Sequence, residues 1–192
     1  MPQPNPAAFA FLAARRSHPA KLFKPPVPDR EELMLILAAA TRVPDHGKLE
    51  PWRLVVVERP GMARLADLAE ARARELGGDA EQIAKGRGQY DLGHLAVVVI
   101  SSPRPVEKIP LLEKRASAAA SCMNLVNAAE ARGWGGCWLT GWPAHDASFA
   151  ARAFGCSEGE VVMGIIHIGT APAEDAPDRP RPDLGRIVSF LA

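Results

Sequence analysis

Residues 112–140 read LEKRASAAASCMNLVNAAEARGWGGCWLT, and this stretch decides the fold. From Leu112 to Arg132 there is neither proline nor glycine, and alanine dominates, so the spacing predicts one long helix over 112–132 that Gly133 stops. The small side chains along it imply close packing against a neighbour. Beyond the stop, Gly135, Gly136, Cys137, Trp138, Leu139 and Thr140 predict a strand over 135–140. Upstream, the run Leu-Ala-Val-Val-Val-Ile-Ser at 95–101 predicts a buried strand ahead of the helix.

The pattern extends outward from this centre. A helix is predicted over 6–15 and a second over 29–42, with Asp29 as its N-cap, Glu32 three residues on, and Leu33, Ile36, Leu37 and Ala40 on one face. The run Leu54-Val55-Val56-Val57 within a strand over 53–57 is apolar on both faces, which predicts a central strand. A helix over 61–76 ends at Gly77-Gly78, a short helix follows over 146–154, and a fourth strand over 161–168. Strands alternating with helices define an α/β or α+β layered domain with a mixed sheet. The prolines gather at 19–28, 103–110 and 172–182 and mark extended segments between these elements. After them the apolar run Ile187-Val188-Ser189-Phe190-Leu191 needs a surface to pack on.

Composition bounds the function. The 192 residues are 47% hydrophobic and 23% charged, with 23 basic against 22 acidic side chains and a formal net charge of +1. That balance argues against a disordered chain and against a nucleic-acid-binding role. One domain over 1–192 is expected, with 171–192 as an extended arm, in a soluble cytoplasmic protein without a membrane span. Cys122, Cys137 and Cys156 have neither disulfide nor zinc spacing, so no metal site is expected.

The common catalytic signatures are missing: no dinucleotide glycine fingerprint, phosphate-binding loop, nucleophile elbow or His-Glu-x-x-His. Three local constellations remain. Arg15-Arg16-Ser17 closes the opening helix with two guanidiniums and a hydroxyl, a donor set for a phosphate with no acid nearby to neutralise them, although arginines at a helix C-terminus also simply complement its dipole. Residues 41–52 crowd Arg42, Pro44, Asp45 and His46 into one turn ahead of Pro51-Trp52, as a solvated connection or as a ligand wall. Gly133-Trp134-Gly135-Gly136-Cys137-Trp138-Leu139-Thr140-Gly141-Trp142 offers glycines for a flat ligand to approach and indoles to cover it, or is a buried strand with turn glycines.

In this order, with Gly169-Thr170 and the tail Arg179-Pro180-Arg181-Pro182 following, the chain resembles the FMN-dependent nitroreductase family, in its compact branch of NAD(P)H nitroreductases carrying Pro-Asp-His. The resemblance runs from about Phe9 to Leu191. It implies an α+β fold of three layers, α/β/α, with a central mixed but mainly antiparallel sheet and a C-terminal strand exchanged with the partner subunit. It also implies that Arg15, Arg16 and Ser17 hold the FMN phosphate, ribityl chain and pyrimidine edge, and that Arg181 adds a second positive contact to the phosphate. Trp138, Leu139, Thr140 and Gly141 match the segment along the isoalloxazine ring, where a backbone amide donates to N5. Arg42, Pro44, Asp45 and His46 match the loop that reaches the flavin held mainly by the other subunit. This chain departs from many members there, with Pro44-Asp45-His46 and Lys48-Leu49-Glu50-Pro51-Trp52 where Pro-Ser-Ser and Asn-x-Gln-Pro-Trp are common.

The chemistry implied is hydride transfer from NAD(P)H through FMN to a nitroaromatic, quinone or other electron-poor small-molecule acceptor, in a homodimer with two FMN at its interface. No protein nucleophile is required, and Arg16 would stabilise charge near flavin N1 and O2. Other readings of the same residues are a flavin carrier or redox sensor without turnover, or a flavoenzyme of dehalogenating or flavin-fragmenting chemistry.

Overall fold

The computed structural model describes residues 3–174 and 176–191. The chain opens with α1 (Pro6–Ala14), whose N-terminus is capped where Asn5 Oδ1 accepts from Ala8 N at 3.1 Å. No residue of α1 is buried, and Phe9 and Leu12 face outward. Asp29 does cap α2 (Arg30–Ala40), accepting from Glu32 N at 2.9 Å, and Leu33, Ile36 and Ala40 form its buried face with Leu37 packed beside them. There follow β1 (Trp52–Glu58), α3 (Arg59–Glu75), α4 (Ala80–Asp91), β2 (Leu95–Ser101), α5 (Leu111–Ala131), β3 (Gly135–Leu139), α6 (Gly141–His145), α7 (Ala147–Phe154), β4 (Val161–Gly169) and α8 (Leu184–Ile187).

The strands lie in the order β1-β2-β4-β3, and every described pairing is antiparallel, so the sheet expected to be mixed but mainly antiparallel is antiparallel throughout the described residues. Alternation along β2 and β4 divides the core into two layers. Ala96, Val98, Ile100 and Ile165 pack with Met62, Leu65, Tyr90 and Phe149 of α3, α4 and α7. Val97, Val99, Ile166 and Ile168 pack with Leu33, Ile36, Leu125 and Val126 of α2 and α5. Each such aliphatic side chain contributes about 1.5–3 kcal/mol by leaving water. The fold is therefore α+β in three layers, with the sheet in the middle.

A second correction concerns β1. Its apolar run does not make it central: β2 is buried at all seven positions, whereas β1 pairs with β2 alone and leaves Val56 39% exposed. An apolar run reports burial of the two faces and says nothing of how many edges are paired. Helix α4 had no counterpart in the sequence reading. Asp79 caps it, accepting from Gln82 N at 2.8 Å, but Gly86 and Gly88 blur its periodicity.

The small residues of α5 serve the close approach expected of them. A Cβ on Gly164 of β4 would lie 2.9 Å from Cys122 Sγ, and one on Gly136 of β3 would lie 3.2 Å from the Val126 carbonyl oxygen. Gly135 is likewise occupied by protein, since its Cβ would meet the Phe23 ring at 2.6 Å. Gly135 and Gly136 thus make room for the chain's own phenylalanine and helix. Cys122 and Cys137 are buried and Cys156 half-buried, all three free, and burial pushes the Cys122 thiol up to about 12. In the C-terminal arm, Ile187, Val188, Phe190 and Leu191 are exposed, and no strand forms among the described residues beyond Gly169. No described helix is long and apolar enough to cross a membrane.

Candidate active site

The end of α1 turns the chain at Arg15 and delivers Arg15, Arg16 and Ser17 against α5 and the end of β3. There they line a cleft of about 580 Å³ with Met123, Trp138, Leu139 and Arg179. An adjoining cleft of about 750 Å³ shares Arg15, Arg16 and His18 and adds Glu130, Trp134, Asp178 and Arg181. A third cavity of about 260 Å³ lies beyond Pro19 and Leu139 and is lined by Lys21, Lys85, Gln89 and His167. The first and third sequence constellations, 116 and more residues apart in the chain, are thereby neighbours, because β3 follows α5 and α1 folds back beside both.

The charges in this cleft differ from the sequence expectation. Arg15 is not without an acid: Nε donates to Glu130 Oε2 at 2.8 Å and Nη2 to Glu130 Oε1 at 3.0 Å. The same Nη2 donates to Ser17 Oγ at 2.9 Å, and Ser17 Oγ donates to Glu130 Oε1 at 3.2 Å. Sequence proximity missed Glu130 because it sits near the end of α5, and only tertiary packing brings it to α1. Arg16 is the less satisfied cation. Its Nη2 donates to the Pro177 carbonyl at 2.9 Å, but its buried Nε has no hydrogen-bond partner among the described residues, with Asp178 Oδ1 at 3.7 Å. Arg181 pairs with Asp178 at 3.0 Å. Arg179, adjacent to the arginine singled out from sequence, is the tail cation lining the same cleft as Trp138.

Thr140 and Gly141 follow β3 at the start of α6, where Gly141 has a φ of 68° that favours glycine. With its amide oriented to satisfy both groups, Gln89 donates to the Thr140 carbonyl at 3.2 Å and accepts from Gly141 N at 3.3 Å. The Gly141 amide is thus spoken for by α4.

Arg42, Pro44, Asp45 and His46 lie elsewhere. They pack on the N-terminal half of α5, where Ser117 Oγ donates to the Pro44 carbonyl at 2.6 Å and accepts from Trp52 Nε1 at 3.1 Å. Ser117 and Glu130 are separated by about 20 Å of helix at ~1.5 Å per residue. Asn124 holds the entry to the loop, donating to the Ala39 carbonyl at 2.7 Å. Asp45 organises the turn itself: Oδ1 accepts from Leu49 N at 3.0 Å and Oδ2 from Glu50 N at 2.8 Å, and Gly47, Lys48 and Glu50 all have positive φ. His46 Nδ1 donates to Glu113 Oε2 at 2.7 Å. Within one chain, none of these four side chains lines the cleft of Arg15 and Trp138.

His167 lines the third cavity, and the sequence reading passed over it. It is 3% exposed on β4, its Nε2 has no partner among the described residues, and burial lowers its pKa to about 4, so it is neutral near pH 7. The signal was present: a single ionisable residue inside an otherwise apolar strand.

Comparison with known proteins agrees with this architecture. The family profile described as "Nitroreductase family" matches residues 12–170, and the chain belongs to that family of oxidoreductases. Among curated relatives, the Escherichia coli (strain K12) protein named "Putative NAD(P)H nitroreductase YdjA" is 31% identical over 184 residues, covering 96% of this chain and 99% of that protein. A Haemophilus influenzae protein is 32% identical over 165 residues, covering 85% and 88%. Among solved structures, a nitroreductase-like family protein from Bacillus cereus superposes with a TM-score of 0.78 at 22% identity, covering 100% of this chain and 98% of that one. A variant of the FMN and NADPH-dependent nitroreductase NfnB from Sphigopyxis sp. strain HMH gives 0.73 at 20% identity, covering 95% and 98%.

Proposed function

We propose that this oxidoreductase binds FMN in the cleft between Arg15–Ser17 and the end of β3, and works as a homodimer on NAD(P)H and an electron-poor acceptor. The observation that carries the reading is the half-buried Arg16, whose buried Nε has no hydrogen-bond partner among the described residues, beside an apolar wall of Trp138 and Leu139. A cationic donor withdrawn from water without a full set of acceptors is costly unless an anion completes it. A planar ring system needs the apolar wall, and its phosphate needs the arginines, so the residues fit the cofactor. Arg16, Arg179 and Arg181 would take the phosphate, and Trp138 and Leu139 would flank the ring. Bound there, FMN supplies two-electron chemistry, accepting a hydride from NAD(P)H and passing it to a nitroaromatic, quinone or activated alkene in alternating half-reactions.

The protein's own task is then binding and orientation. Gln89 fixes the backbone at Thr140 and Gly141, which holds the end of β3 against the ring site. Neutral His167 presents a polar edge in the adjoining cavity without adding charge. The loop from Arg42 to His46, braced by Asp45 and Glu113, would reach across to the flavin of the second subunit. The exposed run 187–191 would cross over and pair with the open edge of β1, covering the apolar surface of both.

Two experiments test this. Anaerobic addition of NADH or NADPH to the purified yellow protein should bleach its visible flavin absorbance; an unchanged spectrum with both rejects the reductase reading. Removal of the residues after Pro182 should give monomeric or aggregated, flavin-poor protein, and a soluble truncation of dimer mass with full FMN would refute the crossing arm.

A further inference from the structure

Glu130 stands in the cleft as an anion in a receptor. Its two oxygens take Arg15 Nε at 2.8 Å, Arg15 Nη2 at 3.0 Å and Ser17 Oγ at 3.2 Å, with Arg15 and Glu130 side chains only 16% and 11% exposed. A guanidinium fork with an adjacent hydroxyl suits a phosphate as well as a carboxylate, since both offer two coplanar acceptor oxygens at matching separation. The donors that a phosphate would recruit from this segment are thus already engaged by an acid of the chain itself. Arg181 is similarly offset by Asp178 at 3.0 Å, and Arg16 meets the same carboxylate more loosely at 3.7 Å, which leaves Arg179 as the cleft arginine without a carboxylate pair among the described residues.

We propose that Glu130 is an internal competitor for the cofactor's phosphate, one that lowers this chain's preference for a phosphorylated flavin over its dephosphorylated form. The inference rests on the FMN reading above. An incoming phosphate meets two obstacles in Glu130: it must break the fork to recruit Arg15 and Ser17, and it is repelled by the carboxylate across a poorly solvated gap. Riboflavin carries the same ring and ribityl chain without the charge, so it meets neither. Glu130 therefore sets how much of the binding energy comes from the phosphate, and shifts that share onto Arg16 and Arg179.

The test is a fluorescence titration of the deflavinated full-length protein with FMN and, separately, with riboflavin. Glu130→Gln keeps the size and one acceptor oxygen but removes the charge. It should tighten FMN binding about tenfold, the effect of removing one like charge at a partly buried site, and move riboflavin by less than about twofold. Raised salt should weaken FMN more in the variant than in the native protein, because the released Arg15 charge is then available to the phosphate. If FMN binds no tighter, or more weakly, while riboflavin is unchanged, Glu130 merely positions Arg15 and the inference is overturned. Should the variant fold poorly by thermal melting, Arg15→Ala and Arg15→Ala/Glu130→Gln are compared: the double variant must bind FMN at least as tightly as the single one, and weaker binding refutes the competition. Failure of the native protein to bind either flavin would instead overturn the cofactor reading itself.

Discussion

Two of the bidentate arginine–glutamate pairs lie in different regions of this molecule, and they do different work. Arg53 on β1 meets Glu160 through Nε at 2.8 Å and Nη2 at 2.9 Å, and the same Nη2 reaches the Phe154 and Gly155 carbonyls at 3.1 and 3.2 Å. Every one of these partners lies between the last residue of α7 and the start of β4, so the pair braces the sheet edge to that connection. Arg15 and Glu130 have the same fork geometry, but both line a cleft and their neighbour Arg16 keeps an Nε without a hydrogen-bond partner among the described residues. Identical pair chemistry is a brace where its further hydrogen bonds all go to one neighbouring turn, and a cleft lining where the pair opens onto a cavity.

Breaking the brace should have the largest effect on folding. Glu160→Gln is expected to cost about 2–3 kcal/mol and to lower the melting temperature by roughly 4–12 °C, measured by calorimetry. Arg53 holds the Glu160 carboxyl down at about 2, mainly by its hydrogen bonds. With the folded value depressed, the pair's stabilisation is complete above the unfolded carboxylate value of about 4.3 and is lost as pH falls toward about 2. The variant's melting temperature should therefore depend less on pH across that window, and parallel curves would break the contrast.

On the cleft side the effect should appear in binding. Arg16→Ala is expected to weaken FMN about thirtyfold, or about 2 kcal/mol, and Arg15→Ala by less, because Glu130 already offsets Arg15. Titration of both variants checks this, and the reverse order would show that the Arg15 pair opens to the phosphate without cost. A smaller loss, about 1–2 kcal/mol in denaturant melts, is expected for Asp45→Ala, which frees two backbone amides beside residues of positive φ. The smallest is His167→Phe. Removing a buried group whose Nε2 has no partner among the described residues should change stability by under about 1 kcal/mol, while a marked loss of flavin affinity would show that the imidazole meets the ligand.

Much of this was legible in sequence. The strand 95–101 and the buried face of α2 follow from apolar spacing, and Asp29, like Gly133, marks a helix boundary because capping is local chemistry. The Arg15–Ser17 segment and the Trp138–Leu139 stretch were each visible, yet nothing in their separate neighbourhoods said that they share a cleft. Helix α4 escaped because two glycines interrupt its pattern, and Arg179 because it lies in an irregular arm. Glu130 escaped for a different reason: on a long helix an exposed acid is the ordinary reading, and its partner is 115 residues away.

By itself, then, the sequence determined the elements, their caps and the presence of a cationic segment, all of which depend on interactions within a few residues. The tertiary structure alone decided that β1 is an edge, that the sheet is antiparallel and that Glu130 answers Arg15. Strand pairing and charge compensation are set by which distant surfaces meet, and a chain's periodicity carries the faces of its elements but not the identity of their neighbours.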